Sequence, residues 1–257
     1  MKVERIVCWF SCGAASAVAA KLAIVSNAGK IPLEICYCHV EEEHPDNMRF
    51  LKDCEKWFGQ SVTILRNEKY QGSIYSVFEQ SKYLVGPSGA RCTLELKKRM
   101  RLAYQRPTDR HVFGYTAEEQ AREDQLIDSN ADLDVWSPLI ERNLSKADVK
   151  AMVERAGIEL PAMYRLGYAN ANCIGCVKGG AGYWNKIRVD FPDTFARMAR
   201  TERLLGRQVC KVTTSGVTRR VFLDELPPDA GDPVRDQPGD CGIFCYQAER
   251  EIAECEV

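Results

Sequence analysis

The chain has 257 residues, of which 45% are hydrophobic and 28% are charged, and its formal net charge at pH 7 is −1. This composition is ordinary for a folded globular protein, and the charge balance excludes a global basic field that attracts nucleic acid, though not a local basic patch. No apolar run approaches the roughly 18 residues of a membrane span. The first residues lead into a strand pattern without a secretory signal. We therefore predict a cytoplasmic protein without membrane contact.

A turn of small residues near the N-terminus is the most informative pattern. The apolar run Ile6–Phe10 leads into Ser-Cys-Gly-Ala-Ala-Ser at 11–16, and a helical pattern follows. A helix that begins after such a turn directs unpaired N–H groups and its positive dipole end toward the turn, which favours a bound phosphate. Ser11 and Ser16 add hydroxyl donors, and Gly13 permits close backbone approach. The alternative is a plain strand–helix turn with small residues for packing, because Ser-x-Gly-x-x-Ser alone is a weak pattern. It is not the P-loop of ordinary NTPases, since no Gly-Lys-Ser/Thr follows.

Strand and helix patterns alternate along the first part of the chain. After the first turn we predict strands at about 33–40, 61–65, 111–115 and 134–139, and helices at about 44–58, 74–83, 94–104, 117–128, 145–156 and 193–205. This order predicts an α/β fold with a doubly wound, five-stranded parallel sheet and helices on both faces. Ligands of such sheets lie at the carboxyl ends of the strands.

The composition changes near Gly157. We predict that residues 1–157 form a nucleotide-binding α/β domain, and that 158–257 form a cysteine-rich C-terminal extension packed over the sheet edge. Within the extension, Thr-Ser-Gly at 214–216 indicates a hairpin, and 227–239 is rich in Pro, Asp and Gly.

Twelve cysteines are many for a chain of this class. A disulfide framework suits small secreted chains instead, so the cysteines in polar loops favour a metal or redox role. Cys173 and Cys176 form a C-x-x-C loop, which brings two thiolates to one metal or cluster. The best third candidate is Cys92, and the fourth is Cys245 or Cys241. Zinc is the alternative metal, and a lone redox dithiol or two unrelated buried thiols is the alternative to any metal.

Two further segments carry candidate anion-binding residues. Arg91 and Lys97 belong to a basic run around Cys92, where cations favour the thiolate and can bind phosphate or sulfate, although a solvated helix face is the alternative. Gly114 ends the fourth predicted strand, and Arg122 lies one turn into the helix that follows, where it can reach a phosphate.

Together these segments resemble the adenine-nucleotide alpha-hydrolase (PP-loop) superfamily, and within it the phosphoadenosine phosphosulfate (PAPS) reductase-like family. Residues 11–16 match the PP-loop position, and 91–97 is similar to the family's cysteine-then-lysine segment. Residues 114–122 resemble the segment that closes on the nucleotide phosphate. The pair at 173–176 matches cysteines that, with an earlier cysteine, hold a four-iron cluster in several members. Residues 240–243 resemble the Glu-Cys-Gly segment that carries the catalytic cysteine of true reductases.

The chain departs from these patterns at named positions. Cys12, Ala14 and Ala15 stand where ATP pyrophosphatases have the second, fourth and fifth residues of Ser-Gly-Gly-x-Asp-Ser. A single cysteine, Cys92, replaces the paired cysteines beside the lysine, and Cys245 has no equivalent in the reductases. One cysteine plus a C-x-x-C loop also resembles the iron–sulfur tRNA thiolases of the same superfamily.

The resemblance implies an enzyme of sulfur chemistry that uses ATP or a sulfonucleotide, with Mg²⁺ and a [4Fe-4S] cluster as cofactors. In a transferase form, ATP adenylates an acceptor oxygen and sulfur then replaces the AMP. In a reductase form, Cys241 or Cys245 attacks the substrate sulfur, with Lys97 in the catalytic segment, and leaves a thiosulfonate for a thioredoxin-like reductant. A sulfur donor or a nucleic-acid acceptor is a conceivable partner, although the net charge does not indicate the latter. The other hypothesis is a non-catalytic nucleotide-binding module with a structural zinc site.

Overall fold

The computed structural model describes residues 2–86, 89–214 and 216–239. The strands are β1 (Arg5–Phe10), β2 (Leu33–Cys38), β3 (Thr63–Leu65), β4 (Val85–Gly86), β5 (Gly89–Ala90), β6 (Asp109–Val112), β7 (Asp134–Trp136), β8 (Cys210–Thr214) and β9 (Val217–Val221). The α-helices are α1 (Ala14–Asn27), α2 (Asp46–Phe58), α3 (Ile74–Ser81), α4 (Arg91–Thr93), α5 (Arg99–Tyr104), α6 (Gln120–Ser129), α7 (Pro138–Glu141), α8 (Lys146–Arg155), α9 (Ala162–Arg165), α10 (Ala181–Asp190) and α11 (Pro192–Leu205). A π-helical turn, Leu94–Lys98, joins α4 to α5. Within residues 2–86, 89–214 and 216–239, every helix is too short or too polar to traverse a bilayer.

The described chain divides into two compact units. The first comprises residues 2–39, 45–66 and 99–166 and contains a five-stranded sheet in the order β3-β2-β1-β6-β7. Every pairing in this sheet is parallel. The predicted α/β fold with a five-stranded parallel sheet is therefore confirmed.

The central strand and the helix that follows it form the middle of this unit. All six residues of β1 are buried, as expected for a parallel strand covered on both faces. Helix α1 is rich in alanine, which favours helix formation and allows close packing. Its buried residues Ala17, Ala20 and Ala23 join Cys8 and Phe10 in one hydrophobic core.

A buried ion pair lies where β1 and β6 begin. Arg5 and Asp109 are register partners in the two parallel strands. The guanidinium of Arg5 donates two hydrogen bonds to the Asp109 carboxylate, at 2.9 and 2.7 Å, and two longer ones to the Glu34 carboxylate, at 3.3 Å each. The side chain of Asp109 is fully buried and that of Arg5 is 6% exposed. This network fixes the amino-terminal edge of the sheet.

Three predicted boundaries are wrong, each for a local reason. The fourth strand is β6, which ends at Val112 instead of continuing to residue 115. The fifth strand is β7, which ends at Trp136 because Pro138 begins α7, and proline is favoured at a first helical position. The sequence predicts the basic helix from about residue 94 with Thr93 as its cap, whereas the helix begins at Arg91 with Ala90 as its N-cap, so Thr93 lies inside it.

The second unit comprises residues 40–44, 67–98 and 167–239, within the described ranges. Its C-terminal part contains α10, α11 and an antiparallel hairpin of β8 and β9, which confirms the hairpin predicted near 214–216. The side chains of Tyr183 and Trp184 in α10 are at most 1% exposed and form its core with Met198 of α11.

A buried carboxylate joins α11 to the hairpin. Glu202 has no exposed surface and accepts hydrogen bonds from the N–H groups of Val209 at 2.5 Å and Leu223 at 2.6 Å. Burial raises the pKa of Glu202 from about 4.5 to about 7, and the two amide hydrogen bonds offset only part of this shift.

We expect the stability of the second unit to depend on the charge of Glu202. Because the folded protein holds this proton more tightly than the unfolded chain, the free energy of unfolding falls as pH rises from about 4.5 to about 7. The slope due to this one group approaches 1.4 kcal/mol per pH unit at most, to order of magnitude. In Glu202→Gln this contribution is absent. Urea unfolding of both proteins across the window measures it, and parallel pH profiles would contradict the expectation.

Candidate functional site

The turn predicted to bind phosphate connects β1 to α1 in the first unit. The hydroxyl of Ser16 is its centre: it accepts the N–H of Ser11 at 3.0 Å, lies 3.1 Å from the Ser11 hydroxyl and donates to the Gly13 carbonyl at 3.0 Å. Ser16 is buried. The side chain of Ser16 therefore ties the turn to itself and sets its shape, a role that the sequence pattern did not reveal.

The backbone around the turn has two features of a ligand-binding loop. Gly13 is the N-cap of α1 and provides no side-chain acceptor for the first-turn N–H groups, which have no acceptor within the helix. Cys12 is fully buried and has a left-handed backbone with φ of 55°. That conformation costs a residue with a side chain roughly 1–2 kcal/mol, and strain of this kind is concentrated at functional turns.

The turn also lies at the switch point of the sheet. From β1 the chain passes through α1 to β2 on one side, while β6 pairs with β1 on the other side. In open α/β sheets, the crevice at the carboxyl ends of strands that part in this way is the usual ligand site. The structure thus places the predicted turn at the position where this architecture binds ligands.

Gly114 follows β6 and packs directly on the turn. A Cβ atom at Gly114 would lie 2.7 Å from both Cα and N of Ser16 and 2.9 Å from the carbonyl carbon of Ala15. These neighbours are backbone atoms and cannot rotate away. Only glycine therefore allows the end of β6 to approach the first turn of α1 so closely.

Arg122 lies farther along this segment and already has an anionic partner. The sequence pattern Thr-x-x-Glu at 116–119 predicts a capping box, and the structure confirms it, since the Glu119 carboxylate accepts the N–H of Thr116 at 3.3 Å. The same carboxylate pairs with the Arg122 guanidinium, which also lies over the ring of Tyr115 at 5.3 Å from its centroid. Arg122 would have to exchange this pairing to contact a phosphate.

The basic run around Cys92 lies in the second unit up to Lys98. Cys92 is half-buried in the first turn of α4 and not in a loop. The Lys97 ammonium pairs with the Glu43 carboxylate at 3.3 Å, and both side chains are less than 10% exposed. Arg91 pairs with Glu95 at 3.0 Å. Lys97 and Lys98 are buried, so the solvated-face alternative is wrong for them.

The C-x-x-C loop, residues 173–176, also belongs to the second unit. Cys173 and Cys176 are 8% and 7% exposed. The hydroxyl of Tyr183 accepts the N–H of Cys176 at 2.9 Å and donates to the carbonyl of Cys173 at 3.4 Å. On the other side of the loop, the N–H of Ile174 donates to the carbonyl of Glu42 at 2.9 Å. The loop thus has a fixed backbone, and both thiols lie away from bulk solvent.

From the sequence, Tyr183 could stack a base or pack the extension, with packing favoured, and Glu42 could help to hold ribose hydroxyls or magnesium or belong to a solvated acidic loop. The burial of Tyr183 confirms the packing role. The sequence did not indicate the additional role of its hydroxyl in holding the loop. Glu42 belongs to an acidic stretch, and its carboxylate accepts from the Ser73 hydroxyl at 2.6 Å and the Ile74 N–H at 2.9 Å. The only sequence signal for the role of the hydroxyl was that Tyr183 lies shortly after the C-x-x-C loop and the glycines at 179–180.

We expect Tyr183→Phe to loosen the C-x-x-C loop. Losing the hydroxyl leaves the buried N–H of Cys176 without its acceptor, which costs about 1–3 kcal/mol. The thiols of Cys173 and Cys176 should then react faster with a thiol reagent in the metal-free protein. Tyr168→Phe is the matched control, because its buried hydroxyl donates to Asp190 instead. Equal thiol reactivity in the two variants would contradict a loop-holding role.

The remaining predicted site residues, Cys241 and Cys245, lie outside the described residues. In the described ranges, no three or more His, Cys, Asp or Glu side chains form a group that could hold a metal ion.

Similarity to known proteins is found at the level of structure. No protein-family model and no curated protein matches the chain. Among solved structures, the chain is similar to the U34-tRNA thiolase NcsA from Methanococcus maripaludis with its [4Fe-4S] cluster. The identity is 13%, the TM-score is 0.44, and the match covers 80% of this chain and 74% of that chain.

Proposed function

We propose that this protein is a nucleotide-binding enzyme of sulfur metabolism or sulfur transfer, which uses ATP or a sulfonucleotide and holds a [4Fe-4S] cluster through cysteine thiolates. The observation that carries the proposal is the β1–α1 turn. It stands at the switch point of a parallel sheet, its shape is set by Ser16, and it has no side chain capping the helix that follows.

The residues of the turn suit an anionic phosphate or sulfate group. First-turn N–H groups of α1 and the positive end of its dipole stabilise negative charge. Preorganised donors of this kind also stabilise charge that develops when an acceptor oxygen attacks the α-phosphorus and pyrophosphate leaves. A sulfur nucleophile then displaces AMP from the activated acceptor. Mg²⁺ would neutralise the pyrophosphate.

The cysteine loop suits a soft metal centre. Cys173 and Cys176 supply two buried thiols on a backbone fixed by Tyr183 and Glu42. Thiolates select iron–sulfur clusters or zinc, and a rigid, shielded loop is the environment that such centres require. When bound, an iron–sulfur cluster supplies redox-active and sulfur-binding iron. We propose Cys92 and a C-terminal cysteine as the further ligands, and Cys92 would have to move to join them, because Cys92, Cys173 and Cys176 do not form a metal-holding group in the described residues.

The test separates the nucleotide from the metal. We expect the protein purified without oxygen to be brown, with about four irons and matching sulfide per chain. Ser16→Ala should keep the iron and lose ATP affinity by at least about tenfold, measured by calorimetry. Cys173→Ala or Cys176→Ala should lose the iron and keep ATP binding. Ser26→Ala, at the other end of α1, is the matched control and should change neither. A colourless protein with one zinc would contradict the proposal of a [4Fe-4S] cluster. Unchanged ATP affinity in Ser16→Ala would contradict the proposal that the β1–α1 turn binds the nucleotide.

A further inference from the structure

A buried tyrosine hydroxyl in α3 has no hydrogen-bond partner among the described residues. Tyr75 is only 2% exposed, and its hydroxyl oxygen is inaccessible to solvent and makes no hydrogen bond there. Buried polar groups are normally hydrogen-bonded, because the hydration that they lose on folding has to be replaced. The hydroxyl of Tyr75 therefore points to an acceptor that the described part of the chain does not supply.

Two arginines of α11 accompany this hydroxyl. The guanidinium carbon of Arg197 lies over the ring of Tyr75, 3.7 Å from its centroid. Arg200 follows three residues later, on the same side of the helix, and the charges of both arginines act on the Tyr75 hydroxyl. Both side chains are exposed, and neither has an ion-pair partner within the described ranges. Neighbouring like charges on one helix face repel each other, and a bound anion relieves that repulsion.

The same part of α11 packs on the C-x-x-C loop. A Cβ atom at Gly175, between the two cysteines, would lie 2.8 Å from the methyl group of Thr194. Thr194 precedes Arg197 by about one helical turn, so both residues lie on the side of α11 that faces the loop. The charge of Cys173 also acts on the Tyr75 hydroxyl. The hydroxyl and the two arginines are therefore grouped beside the cysteine loop.

Glu42 is the carboxylate that acts on the same hydroxyl. Its two oxygens already accept hydrogen bonds from the Ser73 hydroxyl and the Ile74 N–H, at the start of α3. Two permanently charged guanidinium groups outnumber this one carboxylate. Burial raises the pKa of Tyr75 to about 12, so the hydroxyl keeps its proton at neutral pH and can donate it in a hydrogen bond.

We propose that Tyr75, Arg197 and Arg200 form a binding site for a small tetrahedral oxyanion of sulfur or phosphorus beside the C-x-x-C loop. The guanidinium groups supply charge-assisted N–H donors, and Tyr75 supplies an O–H donor from the protein interior. Because the exposed Arg197 side chain lies over the ring, it can move aside and admit the anion to the hydroxyl. The site goes beyond the proposed function and requires neither nucleotide nor cluster.

Calorimetric titration of the full-length protein with sulfate and with inorganic phosphate tests the site. We expect Arg200→Gln and Tyr75→Phe each to weaken oxyanion binding by at least about tenfold, because each removes a hydrogen bond to a charged group. Arg203→Gln is the matched control and should bind normally. It removes a charge from the same helix, but that guanidinium pairs with Asp224 at 2.7 Å and Glu225 at 2.6 Å.

The two anions distinguish the source of the ligand. Tighter binding of sulfate assigns a sulfur oxyanion and tighter binding of phosphate assigns a phosphorus one, and both outcomes support the site. Wild-type affinity for both anions in Arg200→Gln and Tyr75→Phe would overturn it, as would the absence of binding in the wild-type protein.

Ser16→Ala separates this site from the β1–α1 turn. We expect Ser16→Ala to keep its sulfate affinity and Tyr75→Phe to keep its ATP affinity. Sulfate binding that is lost in Ser16→Ala and kept in Tyr75→Phe would place the anion at the turn and overturn the present proposal. Tyr75-dependent sulfate binding in a protein that binds no ATP would leave the oxyanion site standing and overturn the proposed function.

Urea unfolding provides a second measurement that tolerates weak binding. Without added oxyanion, Tyr75→Phe should unfold at the same midpoint as the wild type or a higher one, since it removes an unpartnered buried hydroxyl. With sulfate, the midpoint of the wild type should rise further than that of Tyr75→Phe, because a ligand that binds only the folded protein stabilises it.

Tyr70→Phe is the control for the unfolding measurement. Tyr70 is another buried tyrosine of the second unit with a cation over its ring, since the Lys69 ammonium lies 5.0 Å from the ring centroid. Sulfate also stabilises folded proteins in general, and this effect should be equal in all three proteins. Tyr70→Phe should therefore gain as much from sulfate as the wild type. An equal gain in Tyr75→Phe would refute the oxyanion site.

Discussion

Gly114→Ala is expected to abolish nucleotide binding at the β1–α1 turn. The new Cβ would lie 2.7 Å from backbone atoms of Ser16, so either the end of β6 or the first turn of α1 must move. Such overpacking costs roughly 1–3 kcal/mol, and the displacement falls on the residue whose hydroxyl shapes the turn. We expect ATP affinity to fall by at least about tenfold in calorimetry, with a lower midpoint in urea unfolding.

Gly59→Ala is the control for this variant. Gly59 ends α2 with φ of 75°, and nothing lies within 4 Å of its added Cβ. Alanine there loses roughly 1 kcal/mol to backbone strain without moving the turn. Gly59→Ala should therefore lose comparable stability and retain ATP binding. Wild-type affinity in Gly114→Ala would show that the close approach of β6 to α1 is not needed for the site.

Asp109→Ala is expected to cause the largest loss of stability in the first unit, about 3–5 kcal/mol. The change leaves the buried guanidinium of Arg5 without its bidentate partner, and its contacts to Glu34 and to the Tyr104 carbonyl are longer. Burial alone would raise the pKa of Asp109, but Arg5 and the N–H of Arg106 outweigh it and lower the pKa below its usual value. The stabilisation is therefore present above about pH 4 and is lost as pH falls through the lowered pKa.

Asp134→Ala is the matched control for Asp109→Ala. Arg110 and Asp134 also bridge two neighbouring strands with two hydrogen bonds, at 2.9 and 3.0 Å, but their side chains are 41% and 38% exposed. Exposed pairs of this kind are worth about 0.2–1 kcal/mol. Urea unfolding should separate the two variants clearly, and equal losses would contradict the role of burial. Because Asp109 begins β6 at the edge away from the turn, the folded variant should bind ATP normally.

The sequence predicted those parts of the fold and site that depend on neighbouring residues. The apolar run of β1, the small-residue turn and the alanine-rich α1 are adjacent in the chain, so their pattern shows strand, turn and helix directly. The capping box of Thr116 and Glu119 is local in the same way.

Contacts between distant residues could not be predicted from one sequence. The fit of Gly114 against Ser16 joins segments about a hundred residues apart, and glycine at a strand end is equally typical of an ordinary turn or bulge. Lys97 resembled part of a solvated charge run because its partner, Glu43, lies far upstream. The hydroxyl of Tyr183 accepts the N–H of Cys176 because of the way α10 packs on the loop, and one sequence does not show that packing.

The second unit is assembled from stretches that the ribosome synthesises at very different times. The carbonyl of Glu42 accepts the N–H of Ile174, and the side-chain amide of Asn172 can donate to the carbonyl of Gly239 only after residue 239 has been added. Contacts of such long sequence separation slow folding, because the entropy cost of closing the loop comes before the contacts stabilise the chain. The thiols of Cys173 and Cys176 therefore stay less protected on the nascent chain until these contacts have formed. Under the proposed function, metal loading is accordingly a late step, which must compete with oxidation of the nascent chain.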